Sequence, residues 1–161
     1  MHLKQSVCNI SFLHFQFQAN KGNGTRLLEV HQPLDLSELS KLLQDTVETN
    51  NFEQVVNHLK SLGPSMIDFQ IKSLLPENGG SVVVMLQFFN CIEFMLNSNK
   101  NFELAQAYLG VFLKSHGKVI ASEERLRNKL PVIQSCASAA WDRIQEKLLY
   151  CSCVVSNIKS M

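Results

Sequence analysis

Ser81-Val-Val-Val-Met-Leu-Gln-Phe-Phe-Asn-Cys-Ile-Glu-Phe-Met-Leu-Asn97 is the stretch on which the fold turns. Ser81 is a good N-cap type, and residues 82–97 after it read as a helix that is apolar nearly all round. A helix of that kind belongs at the centre of a core. It is not a membrane span: roughly 16 residues, interrupted by Gln87, Asn90 and Glu93, fall short of the roughly 20 apolar residues a bilayer requires.

Upstream, Glu77-Asn-Gly-Gly80 is a loop and Pro76 ends a helix expected over Pro64–Leu74, with Ile67, Ile71 and Leu74/Leu75 inward. Gly63 suits a left-handed C-cap for the helix before it, and Pro64 suits a first helical turn. That earlier helix begins at Asn50 with Glu53 as capping partner and carries Phe52, Val55, Val56, Leu59 and Leu62 on one stripe. The first helix begins in the same way at Asp35 with Glu38 and carries Leu36, Leu39, Leu42/Leu43 and Val47. The two stretches Thr49-Asn-Asn-Phe-Glu53 and Asn99-Lys-Asn-Phe-Glu103 echo one another, and the simple reading is two good helix starts rather than a repeat.

Downstream, a fifth helix is expected over about 101–116. Phe102, Ala105, Leu109, Phe112 and Leu113 share one face, with Leu109, Phe112 and Leu113 read as core, and Gly117 closes it. Gly110 inside it costs about 1 kcal/mol relative to Ala and is expected to mark a close helix crossing. From Ser122 a long helix runs to about Ser156, kinked or split near Lys129 by Pro131. Leu130, Ile133, Ala137, Trp141, Ile144, Leu148, Cys151, Val155 and Ile158 step along it by threes and fours as one stripe.

The expected fold is therefore all-α, with about six helices in antiparallel hairpins and a long, kinked C-terminal helix. Residues 1–34 differ. A period-two pattern over Ile10–Phe17, then Ala19–Gly24 rich in turn formers, reads as a poorly ordered or short-hairpin extension; 35–161 is the helical domain.

Composition narrows function. The 161 residues are 45% hydrophobic, 18% charged and nearly neutral at +1. A stand-alone nucleic-acid binder carries a basic excess. Charge below the roughly 25% of soluble domains fits a surface covered by a partner. The five Cys include no Cys-x-x-Cys pair, and the five His have no ligand spacing, so no disulfide framework, metal or cofactor is expected. Cys151 and Cys153, two residues apart on a helix, point about 200° apart and do not chelate one ion. Asn78-Gly-Gly-Ser81 could cradle an anion, but without a strand before it or a Lys-Ser/Thr after it the reading is loop plus N-cap. No nucleophile motif or paired carboxylates point to an enzyme or a small-molecule substrate. Arg125, Arg127, Lys129, Arg143 and Lys147, interleaved with acids, read as a solvated helix face with i,i+4 pairs.

Several blocks together resemble a known family. These are Ser61-Leu-Gly-Pro-Ser-Met-Ile-Asp-Phe-Gln-Ile-Lys-Ser-Leu74, Pro76, Gly79-Gly-Ser81, Asn101-Phe-Glu-Leu-Ala-Gln-Ala-Tyr-Leu109 and Phe112-Leu-Lys-Ser-His116. Over about 36–159 the chain is similar to the C-terminal domain of the U-three small nucleolar RNA-associated protein twenty-one family (WD repeat-containing protein thirty-six in animals). The resemblance implies an all-helical domain that comes after tandem WD-repeat propellers in a subcomplex of the small-subunit processome. That places it in the nucleolus of the nucleus, supporting pre-ribosomal RNA processing and small-subunit biogenesis. Partners would be other tandem WD-repeat subunits through their own helical C-terminal domains, with RNA met only indirectly and no membrane. Two departures stand out: no propeller sequence precedes the domain, and residues 1–34 do not resemble the family's lead-in.

The expectation is a non-enzymatic protein–protein assembly module, with Trp141, Ile144, Leu148 and Val155 as packing or partner contacts. The competing reading is a tetratricopeptide-like helical adaptor that binds a peptide in a concave groove.

Overall fold

A computed structural model describes residues 36–98 and 100–159. The expected extension over 1–34, Asp35 itself and the turn residue Asn99 lie outside those residues. Among the described residues there are six α-helices and no strand: α1 (Glu38–Thr49), α2 (Glu53–Ser61), α3 (Pro64–Lys72), α4 (Val82–Asn97), α5 (Phe102–Ser122) and α6 (Glu124–Lys159).

The first helix starts at Ser37 and not with the expected Asp35–Glu38 pair: the Ser37 Oγ accepts the Ser40 N–H at 3.2 Å, and Glu38 is the first helical residue. Leu39, Leu43 and Thr46 point inward; Val47, expected inside, is half exposed. Thr46 is tolerated there because its hydroxyl donates to the Leu43 carbonyl at 2.7 Å, so no polar atom is buried unpaired. Asn50 is not the start of α2 but the left-handed end of α1, at φ 50°. Helix α2 is begun instead by Asn51, whose Oδ1 accepts the Glu53 N–H, with Phe52 at the N-cap turned into the core. Gly63 is likewise not a left-handed cap: at φ −73° it is extended and leads into α3, with Pro64 in the first turn as expected.

The connection into α4 explains the Gly-Gly-Ser block. Pro76–Asn78 forms a short 3₁₀ turn, and Gly79 takes φ 89°, where a side chain is disfavoured. Gly80 donates to the Leu75 carbonyl at 3.0 Å, and a Cβ there would collide with the Leu74 backbone. Ser81 accepts the Val84 N–H and starts α4 at the expected residue. The Gly80 amide and the Ser81 hydroxyl are thus engaged within the loop and the cap, in keeping with the loop-plus-cap reading.

Helix α4 is central and packs against α1, α2, α5 and α6. Its buried residues include Met85, Phe88, Phe89, Ile92, Met95 and Leu96. The Phe112 ring of α5 stacks on Phe88 at 4.7 Å and meets Phe89 edge-on at 5.0 Å. Leu109 is buried beside it and Leu113 packs partly against the core. Helix α5 does not stop at Gly117. It continues to Ser122, because His116 and Ile120 remain buried and a helical Gly costs only about 1 kcal/mol. Gly110 marks no close crossing either, since nothing lies within 4 Å of a Cβ placed on it.

Buried polar groups tie neighbours together. His116 Nε2–H donates to the Ile71 carbonyl at 2.8 Å, joining α5 to α3, and the Tyr108 hydroxyl donates to the Leu59 carbonyl of α2 at 3.4 Å. A single extended residue, Glu123, separates α5 from α6. Helix α6 then runs 36 residues without a break, so Pro131 does not split it.

Candidate interaction surface

The stripe along α6 divides into two parts with different fates. In the first part, Leu126, Ile133 and Ala140 are buried, and Leu130, Cys136 and Ala137 pack against the core. In the second, every residue from Gln145 to Lys159 is exposed. At 1.5 Å per residue that is about 22 Å of helix. It is far from polar: Leu148 (58% exposed), Leu149, Tyr150 (72%), Val154, Val155 and Ile158 (68%) all stand in solvent. Scattered exposed apolar residues are ordinary, but a contiguous set is the signature of a surface built to be covered.

The boundary between the parts is latched. Arg143 Nη2–H donates to the Leu96 carbonyl at 3.1 Å, meeting the last turn of α4, where carbonyls lack helical partners and a positive charge is favoured. The Trp141 ring lies 6.3 Å from Phe102. One turn into α6, Lys129 Nζ pairs with Glu93 Oε2 of α4 at 2.7 Å, with both side chains largely shielded. Arg127 donates to the Ala121 carbonyl at 3.3 Å, near the end of α5. The basic cluster is therefore not simply a solvated face. Three of its five members hold groups of other elements, and among the described residues no ion pair joins two α6 residues.

Of the four expected contact residues, Trp141 leans on Phe102 and Ile144 is half-buried, so both sit at the edge of the body. Leu148 and Val155 lie in the free part. Sequence reasoning missed Leu149, Tyr150 and Val154, although their crowding between Leu148 and Val155 was a visible signal. It also missed which part of the stripe is core, because threes and fours look the same whether the covering helix belongs to this chain or another.

Other chemistry is quiet. Burial pushes the Cys91 thiol up to about 12, which keeps it protonated. Cys151 and Cys153 are exposed. Burial lowers the His116 pKa, opposed by its bond to the Ile71 carbonyl. Among the described residues no group of His, Cys, Asp and Glu could hold a metal ion, and no helix is long and apolar enough to cross a membrane. A shallow polar hollow is lined by Asp45, Thr46, Glu48, Thr49, Asn51 and Gln54.

The Utp21-specific WD40-associated domain model matches residues 12–159, reaching into the segment expected not to resemble the family. The chain is 36% identical over 118 residues to WD repeat-containing protein 36 of Homo sapiens, covering 73% of this chain and 13% of that protein. It is 32% identical over 132 residues to the U3 small nucleolar RNA-associated protein 21 homolog of Schizosaccharomyces pombe, covering 77% and 14%. U3 small nucleolar RNA-associated protein 21 of Saccharomyces cerevisiae is 24% identical over 111 residues, covering 69% and 11%. The matched region thus spans only 11–14% of the length of these relatives.

Proposed function

We propose a function from one premise: this chain belongs to the Utp21-specific WD40-associated domain family. It acts as a non-enzymatic helical assembly module of a small-subunit processome scaffold in the nucleolus, supporting pre-ribosomal RNA processing. Its partners are other tandem WD-repeat subunits, reached through their helical C-terminal domains, and it meets RNA only through the assembly. The observation that carries this reading is the exposed apolar end of α6, from Gln145 to Lys159, on a helix whose first part is fixed in the core. Two of the relatives are named for association with U3 small nucleolar RNA, which agrees with a place in such an assembly.

The test is affinity purification of the tagged chain from cells, with and without nuclease. The wild type should recover WD-repeat processome subunits in near-stoichiometric amounts, and nuclease should leave that recovery intact. The Leu148→Asp/Val155→Asp variant should keep its helix content and melting temperature, since both positions are exposed, while recovery falls at least about tenfold. No recovery by the wild type, or undiminished recovery by the variant, would overturn the proposal.

A further inference from the structure

The exposed end of α6 is more specific about its partner than a single stripe would be. Projected at about 100° per residue, Tyr150, Val154, Ile158, Cys151, Val155 and Leu148 succeed one another around an arc of about 160°. The seam of a two-stranded coiled coil is narrower, being confined to the a and d positions, whereas a face this wide is what a helix presents to a core. Taking Leu148 as an a position puts Val155 at the next a and Ile144, Cys151 and Ile158 at d, a set that lacks the Leu at d of two-stranded coils. One partner helix laid on the a/d seam would leave Tyr150 and Val154 wet.

Charge argues for the source of the partner. Two charges adjoin the arc, Lys147 within it at one end and Lys159 on its margin at the other, about 18 Å apart at 1.5 Å per residue. No carboxylate falls on it; the nearest, Glu146, projects about 40° outside its Tyr150 edge. A second copy of this chain would bring Lys against Lys: Lys147 to Lys159 if antiparallel, like to like if parallel. Neither arrangement is electrostatically favoured.

We infer that the end of α6 inserts into a groove between two helices of a different protein, with carboxylates at the two ends of the groove opposite Lys147 and Lys159. The identity of that protein as a WD-repeat subunit rests on the function proposed above; the two-helix groove with acidic ends does not.

Two exposed thiols on this end of the helix make the test direct. Cys151 lies inside the arc, and Cys153 projects about 160° from Cys151, about 60° outside the arc. Maleimide labelling of the full chain is coupled to mass spectrometry, for the purified chain alone and for the tagged chain in fresh cell extract before purification. Alone, both thiols should label fast. In the extract Cys151 should label at least about tenfold more slowly while Cys153 does not change. A Tyr150→Cys reporter in a Cys151→Ser/Cys153→Ser background should be slowed as Cys151 is. Carbodiimide cross-linking should join Lys147 and Lys159 to Asp or Glu of another protein.

A fast Tyr150→Cys reporter beside a slow Cys151 would mean a single covering helix and overturn the inference. So would cross-links between copies of this chain, or Cys151 protection in the isolated chain. Recovery of WD-repeat subunits with Cys151 open would refute this inference and leave the assembly role standing. Cys151 closed by an acidic two-helix groove of some other protein would do the reverse, and an open Cys151 with no recovery would refute both.

Discussion

His116 shows how one residue can couple the fold to pH. Its Nε2–H satisfies the Ile71 carbonyl, while Nδ1 is buried with no partner and the ring sits edge-on to Phe112 at 4.8 Å. Protonation would place a second N–H and a charge in an apolar site, so burial lowers the folded pKa below the ordinary 6.5. A base whose folded pKa is depressed favours the folded state when neutral. Its contribution is complete above the unfolded pKa and is lost as pH falls from there toward the folded value. The melting temperature should therefore drop between pH 7.5 and 5. His116→Gln, which keeps a donor for Ile71 but cannot titrate, should flatten that drop and cost about 1–2 kcal/mol at neutral pH. An equally steep profile in the variant would move the titration elsewhere. The glycines give a paired contrast. Gly80→Ala meets the Leu74 backbone and should destabilise by roughly 2–4 kcal/mol; Gly110→Ala enters open space inside a helix and should stabilise by up to about 1 kcal/mol. Denaturant titrations of the two variants check both signs. The Gly-Gly-Ser block was legible as a loop and cap, but the reason for Gly80 was not, since it depends on how near the turn passes to Leu74.

Among elements, α6 tests the balance between local propensity and packing. Pro131 has no N–H for the Arg127 carbonyl and its ring crowds that turn, yet the helix continues. Ile133 and Ala140 beyond it are buried, and Arg143 and Trp141 are held by α4 and α5, so tertiary contacts outweigh the local penalty. Pro131→Ala, at an exposed position, should restore a backbone bond and raise stability by about 1–3 kcal/mol, read as a higher melting temperature. A loss would show instead that the proline sets the geometry by which Ile133 reaches the core. This is also where reading boundaries from sequence succeeded and failed. Helix α4 was legible at both ends because Ser81 is a chemical cap and the apolar run ends with it. Helix α5 overran its expected end because Gly117 is only a weak breaker, while the burial of His116 and Ile120 depends on α3 and other distant partners. Asn50 and Asn101 both adopt left-handed backbone, at φ 50° and 61°, but one ends a helix and the other begins one. In the two similar pentapeptides Asn101 aligns with Asn51, which starts α2, so the echo marks the helix starts and gives no sign of the left-handed end at Asn50.

At the scale of the molecule, the exposed apolar surface has a location: most of the last four turns of α6 are apolar and exposed, while the body buries its own core around Phe88, Phe89 and Phe112. The helical class was readable because amphipathic period and caps are local, and the extent of the core was not, because burial is a property of the whole chain. Stability and assembly are therefore physically separable. Residues 146–159 are all exposed and include none of the buried side chains, and the Arg143–Leu96 and Trp141–Phe102 contacts lie before them. A chain ending at Gln145 should melt within about 3 °C of the full chain, since exposed residues contribute little to the transition. It should nevertheless recover none of the WD-repeat subunits. Phe112→Ala should do the opposite in sequence of cause: by removing a ring from the centre of the core it should cost about 3–5 kcal/mol, and recovery should fall only as the folded fraction falls. Calorimetry and quantitative co-purification on the same three proteins decide the matter. If the shortened chain melts far lower, the end of α6 supports its own domain and cannot be a free contact surface. If it melts normally and still recovers its partners, the assembly face lies elsewhere on the helices, with exposed Met66 and Phe69 of α3 the next place to substitute.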